Sequence, residues 1–398
     1  MLRQVVVVGA SLAGLRAVET LRERGYDGGL TLIGDETQPP YDRPPLSKQV
    51  LQGAWDPQQT LFRKKEGYDS LALDMRLGVR ARALDLRGRQ ILLADGTTVS
   101  YDGAIVATGA RVRILPGMAP RAGLHVLRGL DDAIALRRDL AEAARVAIVG
   151  CGFIGLEVAA SCRSRGIAVT AIEALPFALS PSLGPTICET VESLHRDHGV
   201  ELRTGTRVND VLGDTRVTGV QLSDGSRVDA DVVIVGIGVT PNTEWLEGSG
   251  LNLADGIVCG ESGEAAPGVY AAGDVARVPN AWLGDATRVE HWTNAVEQGV
   301  FAAESLLAGG DAVRRFSSVP YFWSDQYDRK IQFAGRTRPG DEAVVVDGST
   351  AERRFVALYR RQDRLVACLA MNHPRGFIRF RKLLADKPGW DVAMSTSP

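Results

Sequence analysis

The sequence has few cysteines, and their spacing suits no shared task. Five occur among 398 residues, and they form no CxxC or CxxxxC pair. An odd and scattered set predicts neither a disulfide framework nor a zinc site, so we expect no bound metal. It also argues against a redox-active cysteine pair, and a reducing cytoplasm is the compartment we expect. The five positions are Cys151, Cys162, Cys188, Cys259 and Cys368.

Long apolar runs and a strong net charge are also missing. No stretch approaches the ~18 residues of a membrane span. The first strand-like run begins at Arg3, which leaves no room for a signal peptide. The formal net charge is only −2, which argues against a general nucleic-acid binder. We therefore expect neither a membrane nor a nucleic acid as partner.

The composition is that of a soluble α/β protein with many tight turns. Hydrophobic residues make up 45% and charged residues 24%, and there are 44 glycines. The length predicts two or three domains. Charge is uneven: residues 311–398 carry 16 Lys/Arg and 10 Asp/Glu, net +6, which leaves net −8 for residues 1–310. This asymmetry fits either an acidic partner or scattered, solvated arginines.

Residues 3–14, RQVVVVGASLAG, are typical of a buried strand, a tight turn and the start of a helix. Gly9 permits the turn, and Gly14 allows the helix to pack closely on the strand. Ser11 replaces the middle glycine of the dinucleotide motif, so an ordinary packed turn stays open as an alternative. A second strand, LTLIGDE, ends in Asp35 and Glu36, where an acid would accept hydrogen bonds from a ribose.

The same pattern recurs at residues 145–174 with all three glycines, Gly150, Gly152 and Gly155. Glu173 ends the next strand. A carboxylate there favours a free 2′-hydroxyl and repels a 2′-phosphate, and no arginine follows in EALPFALS. The second site therefore predicts NADH rather than NADPH.

Three more strands end in glycine-rich turns: GAIVATGAR, DVVIVGIGVTPN and GVYAAGDVA, the last with Asp274. Two dinucleotide folds in one chain need two dinucleotides, and the economical pair is resident FAD and visiting NADH.

These motifs, with YDRPPLSK and FWSDQ, resemble the NADH-dependent ferredoxin reductases of bacterial oxygenase systems, of the putidaredoxin reductase and biphenyl dioxygenase reductase type. These belong to the FAD-dependent pyridine nucleotide-disulfide oxidoreductases. The resemblance implies an α/β fold with two Rossmann-like domains of the three-layer ββα type and a C-terminal α+β domain. The expected domains are an FAD domain at 1–110 and 240–318, an NADH domain at 111–239, and a C-terminal reductase domain at 319–398.

Motifs and resemblance together imply the cofactor contacts. For FAD they are Gly9, Ser11, Leu12, Ala13, Gly14, Asp35, Glu36, Arg43, Lys48, Ala81, Ala107, Thr108, Gly109, Arg128, Gly273, Asp274, His291, Trp292 and Trp323. For NADH they are Gly150, Gly152, Phe153, Ile154, Gly155, Glu157, Glu173, Gly236, Ile237 and Gly238.

The resemblance also implies that Lys48 lies beside flavin N5 and pairs with Glu157, on the first turn of the nucleotide helix. The alternative is a surface salt bridge worth at most about 1 kcal/mol. Residues 293–307 predict an amphipathic helix capped by Thr293, whose N-terminus would place positive potential near the flavin. His291 could be a proton donor there or a packed or solvated histidine.

Electrons are expected to leave singly for a metal centre on another protein. By resemblance, Trp323 lies near the flavin and the ferredoxin-facing surface. An acidic [2Fe–2S] or [3Fe–4S] ferredoxin would suit the basic C-terminal part, with the chain a monomer or weak dimer. Residues 353–372 predict an antiparallel hairpin, and RGFIRFRKLL fits a helix or a strand. Rubredoxin reductase, NADH oxidase and a non-enzymatic flavoprotein like apoptosis-inducing factor stay open as alternatives.

Overall fold

The chain divides into two units of dense packing. A computed structural model describes residues 2–115, 117–179, 183–309 and 314–396. The predicted domains begin at residue 1 and end at residue 398, and both ends lie outside the described residues. The first unit comprises Met1–Asp42, Leu61–Arg111 and Thr240–Pro320, and the second comprises Arg43–Thr60, Val112–Val239 and Tyr321–Pro398.

The helices are distributed over both units. In the described residues they are α1 (Leu12–Glu23), α2 (Leu130–Asp139), α3 (Phe153–Ser164), α4 (Pro185–Asp197), α5 (Trp292–Ala308), α6 (Pro374–Ala385) and α7 (Trp390–Ser395). Short 3-10 helices cover Pro57–Thr60, Lys65–Leu71, Glu244–Leu246 and Gly273–Val275, and a π-helical turn covers Leu46–Val50. None of these described helices has the length and apolar content of a transmembrane segment.

The first unit is built on a six-stranded sheet that is parallel except for its first strand. The strands lie in the order Glu264–Ala266, Val269–Ala271, Gly103–Val106, Gln4–Val8, Gly29–Ile33 and Asp74–Arg76. Two three-stranded sheets accompany it: Ala81–Asp85, Gln90–Leu93 and Thr98–Ser100, and Ile257–Val258, Ala276–Asn280 and Asp285–Thr287. Two of the five points at which the chain passes between the units lie within short strands, Ala110–Val112 and Val239–Pro241.

The run VVVV in the first strand is apolar throughout because both faces of the sheet are buried. Val6 and Val8 pack into a core that includes the antiparallel strands at 81–85, 90–93 and 98–100. Val5 and Val7 pack on the opposite face, in a core that includes α1 and α5. Sheet, sheet and helix thus form three layers.

The second unit repeats this arrangement. Its parallel five-stranded sheet has the order Val200–Arg203, Ala168–Ile172, Arg145–Val149, Val232–Val235 and Leu124–Val126. An antiparallel sheet of Val208–Leu212, Gly219–Leu222 and Arg227–Asp229 covers one face and shares its core.

The C-terminal part of the second unit is a five-stranded antiparallel sheet with α6 packed on it. Its strands lie in the order Tyr321–Gln326, Arg329–Gly335, Arg364–Met371, Arg354–Arg361 and Glu342–Ser349. The predicted fold class is therefore confirmed: two Rossmann-like ββα arrangements and a C-terminal α+β part.

Local predictions met different outcomes. The hairpin is confirmed, since Arg361 and Arg364 pair across the turn. The RGFIRFRKLL segment is helical and lies in α6, whose buried Phe377 and Phe380 face the sheet. The prediction that Thr293 caps the helix is wrong, because α5 begins at Trp292 and His291 is its N-cap.

Candidate functional site

The first nucleotide turn lies where three parallel strands of the first unit end. Gly9 has φ +119°, and a Cβ on it would lie 2.1 Å from the carbonyl oxygen of Ala107. A Cβ on Gly14 would lie 1.9 Å from the carbonyl oxygen of Gly9. Only glycine fits both positions without moving backbone. The turn is therefore fixed by contacts with its neighbouring strand end and helix.

The middle position of the turn makes no such demand. Ser11 is the N-cap of α1 with an extended backbone, φ −111° and ψ −161°, which any residue adopts. Its counterpart in the second turn, Gly152, has φ −71°, and a Cβ there would meet no described atom within 4 Å. The serine is therefore compatible with this turn, and any need for glycine at the middle position must come from a ligand.

Further predicted FAD residues gather in the same unit. Gly273 has φ +77°, its N–H donates to Gln298 Oε1 at 2.9 Å, and a Cβ on it would lie 3.0 Å from the Cβ of Ala13. Trp292 Nε1 donates to Asp42 Oδ1 at 2.8 Å.

Four other predicted FAD residues of this unit differ in exposure. Asp35 is exposed at its strand end, Glu36 accepts a hydrogen bond from Tyr41, and Ala81 is buried in its strand. Burial lowers the pKa of His291 to about 4, against the opposing charge of Asp274. His291 is therefore neutral at pH 7, which fits the packed alternative better than a proton donor.

The other four predicted FAD residues, Arg43, Lys48, Arg128 and Trp323, belong to the second unit. Arg43 Nη1 donates to the carbonyl oxygen of Arg128 at 2.7 Å. The rings of Trp323 and Tyr321 stack with their centroids 6.1 Å apart, and Tyr321 also packs on Phe377 of α6.

The second nucleotide turn repeats the geometry of the first. Gly150 has φ +99°, and a Cβ on it would lie 2.4 Å from the carbonyl oxygen of Gly236. A Cβ on Gly155 would lie 2.1 Å from the carbonyl oxygen of Gly150. Gly150 N–H donates to Ile172 O at 2.8 Å. The N–H groups in the first turn of α3 have no partner within the helix. They can therefore bind an anion at this edge of the sheet.

Glu173 is held against this turn by the backbone. Its Oε2 accepts from Cys151 N–H at 2.9 Å, and its Oε1 accepts from Leu175 N–H at 3.0 Å. A carboxylate oxygen can accept more than one hydrogen bond. The side chain is therefore oriented and still able to accept from a ribose hydroxyl. The exposed Ile154 and the half-buried Phe153 begin α3 beside it.

A buried ion pair joins α3 to the PPLSK segment. The PPLSK segment folds into a π-helical turn, in which Pro45 O accepts from Val50 N–H at 3.0 Å. Turns of this kind are frequent at functional sites. They place Lys48 Nζ 2.6 Å from Glu157 Oε2. Lys48 is 8% and Glu157 5% exposed, so the surface-salt-bridge alternative is wrong. Glu157 is the fifth residue of α3 and begins its second turn, not its first.

Glu157 has partners that the sequence did not indicate. Ser47 Oγ donates to Oε2 at 2.5 Å, and Ser324 Oγ donates to Oε1 at 2.6 Å. Only the SDQ letters after Trp323 could have pointed to the second contact, since alternate residues of a strand share a face. Three donors on one buried carboxylate satisfy it well.

The cysteines are all free and buried. Burial raises the pKa of Cys162, Cys188, Cys259 and Cys368 to about 12, and it also raises the pKa of Cys151. Because the thiolate is the reactive form, these thiols are inert near neutral pH.

Comparisons with known proteins agree with this geometry. Residues 3–299 match the family model of the pyridine nucleotide-disulphide oxidoreductases, and residues 321–395 match the reductase C-terminal model. Rhodocoxin reductase of Rhodococcus erythropolis is 36% identical over 386 residues, covering 96% of this chain and 89% of the relative.

Two further matches also span nearly the whole chain. The ferredoxin–NAD(+) reductase component of the anthranilate 1,2-dioxygenase system of Burkholderia cepacia is 37% identical over 384 residues, covering 96% of this chain and 93% of the relative. The crystal structure of the covalent putidaredoxin reductase–putidaredoxin complex aligns with a TM-score of 0.92 at 34% identity, covering 97% of this chain and 93% of that chain. The family model covers more than half of the sequence, and the chain belongs to the pyridine nucleotide-disulphide oxidoreductase family.

Proposed function

We propose that this chain is an FAD-dependent reductase that takes a hydride from NADH and passes single electrons to a small iron–sulfur ferredoxin, which feeds an oxygenase. The observation that carries the proposal is the pair of strand–turn–helix cradles, one in each unit. Gly9 and Gly150 each leave no room for a Cβ against a neighbouring strand end. The name of the Burkholderia cepacia relative, a ferredoxin–NAD(+) reductase component, supplies the acceptor.

The residues present fit both dinucleotides. In the first unit, the 9–14 turn, the 107–109 strand end and the 273–274 turn would hold FAD. In the second, the 150–155 turn, Glu173 and the 236–238 strand end would hold NADH. When bound, FAD accepts a hydride and donates single electrons, and it brings this chemistry with it.

The chain's own contribution is position and charge. Backbone N–H groups of the two turns bind the pyrophosphates. Glu173 accepts from the adenosine ribose. Lys48, fixed by its buried ion pair with Glu157, would hold a positive charge beside the reacting ring edge, and the N-terminus of α5 would add positive potential worth ~0.3–1 kcal/mol. Burial of the Lys48–Glu157 pair removes the water that would otherwise screen its charges.

The surface of α6 supports an acidic ferredoxin as partner. Arg375, Ile378, Arg379 and Lys382 are exposed and lie at i, i+3, i+4 and i+7, on one face of the helix. An apolar centre ringed by cations suits a docking site for an acidic protein. The cluster type, [2Fe–2S] or [3Fe–4S], belongs to this proposal, as does a monomeric or weakly dimeric chain.

We also propose three domains: FAD at 1–110 and 240–318, NADH at 111–239, and a reductase domain at 319–398. The cytoplasm is the proposed compartment, which the five free, buried thiols support.

Anaerobic stopped-flow spectroscopy tests the proposal. NADH should bleach the flavin absorbance at about 450 nm, and cytochrome c reduction should then require an acidic ferredoxin. No bleaching would end the proposal. Activity with rubredoxin alone, with oxygen alone, or salt-sensitive DNA binding without ferredoxin activity would favour the three alternatives in turn.

A further inference from the structure

A continuous chain of hydrogen bonds runs through the second unit and ends on Glu157. Ser324 Oγ lies 2.6 Å from Glu157 Oε1, and Gln326 Nε2 lies 3.1 Å from Ser324 Oγ. His195 Nε2 lies 2.9 Å from Gln326 Oε1, and Tyr327 Oη lies 3.2 Å from His195 Nδ1. The chain joins α3, α4 and the strand Tyr321–Gln326.

Its interior is shielded from water. Ser324, Gln326 and His195 are each 0% exposed. Ser324 and Gln326 share one face of their strand, because they are two residues apart. On that face Phe322 meets Phe153 of α3 at 4.6 Å between ring centroids. Polar groups buried in this way must satisfy one another.

The direction of every bond follows from the donor at Glu157. A serine hydroxyl has one proton, and a 2.6 Å contact with a carboxylate oxygen requires Ser324 to donate it there. Ser324 must then accept from the amide N–H₂ of Gln326. The amide oxygen of Gln326 is left to accept from His195, so Nε2 carries the proton, and Nδ1 accepts from the hydroxyl of Tyr327.

All four dipoles therefore point towards Glu157. Burial lowers the pKa of His195 to about 4, so the neutral imidazole that this order needs is present at pH 7. Aligned hydrogen bonds polarise and strengthen one another. Their positive ends stabilise the carboxylate on the oxygen that Lys48 does not contact.

We propose that Ser324, Gln326 and His195 are positioning residues that hold the Glu157 carboxylate in one orientation and thereby fix the ammonium group of Lys48. They act through Glu157 and do not themselves meet a substrate. The consequence for hydride transfer rests on the proposed function, whereas the order of the chain is a property of the protein alone.

The first test observes the unsubstituted protein and needs a variant only to assign one signal. Nitrogen NMR of the holoenzyme, labelled in its five histidines, distinguishes the two neutral tautomers. His195, assigned by its loss in His195→Gln, should be the Nε2–H tautomer throughout about pH 5–8. An Nδ1–H tautomer would reverse the chain and overturn the proposal.

The second test uses Ser324→Ala and Gln326→Leu, with Gln332→Leu as matched control. Gln332 lies on the neighbouring strand and donates to Tyr321 Oη at 3.2 Å, away from Glu157. The chain has six lysines, and the ammonium signal of Lys48 should be protected from solvent exchange. We expect exchange to quicken roughly tenfold in the two chain variants and not in the control.

The kinetic readout separates positioning from binding. We expect the limiting rate of flavin reduction by NADH to fall roughly 3- to 30-fold in both chain variants, with the NADH Kd within about twofold. Equal behaviour of Gln326→Leu and Gln332→Leu in exchange and rate would overturn the proposal. Should Gln326→Leu not fold, Ser324→Ala decides alone, because it removes one oxygen atom.

The two proposals fail in different ways. A holoenzyme that NADH does not reduce would end the proposed function, yet the histidine tautomer and the lysine exchange would still be measurable. Normal reduction with the wrong tautomer would end the inference and leave the proposed function intact.

Discussion

Substituting alanine for Gly150 should damage the second nucleotide turn for two separable reasons. A non-glycine residue at φ +99° costs ~1–2 kcal/mol. The new Cβ would also lie 2.4 Å from the carbonyl oxygen of Gly236, closer than real contacts allow, so one of two strand ends must move. We assign this displacement ~1–2 kcal/mol by analogy with overpacking. A total of ~2–4 kcal/mol predicts roughly 30- to 1,000-fold weaker NADH binding if the turn carries the strain.

Saturation of flavin reduction with NADH in stopped-flow measures this Kd. Gly166→Ala is the matched control at the opposite end of α3, since Gly166 has φ +78° and a Cβ there would meet no described atom within 4 Å. It should lower stability by ~1 kcal/mol and leave the NADH Kd unchanged. Gly152→Ala should fold normally and weaken NADH binding only through the ligand. A Gly150→Ala enzyme with the wild-type Kd would refute the account of the turn.

Three more predictions concern charge. Lys48→Met leaves Glu157 buried without its cation, so it should lower the free energy of unfolding in urea by ~3–5 kcal/mol. Adding Glu157→Gln to this variant should restore most of the lost stability. No recovery in the double variant would argue against a coupled pair. Glu173→Ala should reduce the NADH over NADPH preference in kcat/KM roughly tenfold, and an unchanged ratio would contradict the ribose contact. His195 is neutral in the folded protein down to about pH 4, whereas in the unfolded chain it takes up a proton near pH 6.5. The free energy of unfolding should therefore decrease by up to roughly 3 kcal/mol as the pH falls from 6.5 towards 4. His195→Gln should flatten the urea-midpoint profile in that window, and an equally steep profile would count against a buried neutral imidazole.

The sequence predicted those parts of the fold that depend on local pattern. The strand with the run VVVV at Val5–Val8 could be predicted because a strand buried on both faces must be apolar at every position. The two nucleotide turns could be predicted from their glycines, because positive φ and close backbone contact restrict the residue type there. Periodicity alone left the RGFIRFRKLL segment undecided. The sheet beneath it resolves the choice, since α6 buries Phe377 and Phe380 on one side.

The parts that the sequence did not reveal depend on residues distant in the chain. Thr293 had the side chain of a helix cap, but it is the second residue of α5 and His291 takes the cap position. Asn294 Nδ2, in the first turn of α5, donates to Val289 O in the preceding segment at 2.8 Å. Ser324 is 167 residues from Glu157, its hydrogen-bond partner. Ser324 and Gln326 share a strand, but Glu157 and His195 lie in distant segments. No sequence pattern links them to that strand, because only tertiary packing brings them together.

The family name refers to disulphide chemistry, and this chain is built for a different transfer. A sulfur relay needs a thiolate, but burial raises the pKa of Cys259 in the first unit and of Cys162 in the second to about 12. The segment before Lys48 supplies prolines, a π-helical turn and a cation paired with buried Glu157 instead. A fixed charge can favour hydride acceptance but cannot store electrons. On the proposed function, the electrons therefore have to leave directly for a separate protein, and the cationic face of α6 is where we expect that protein to be recognised.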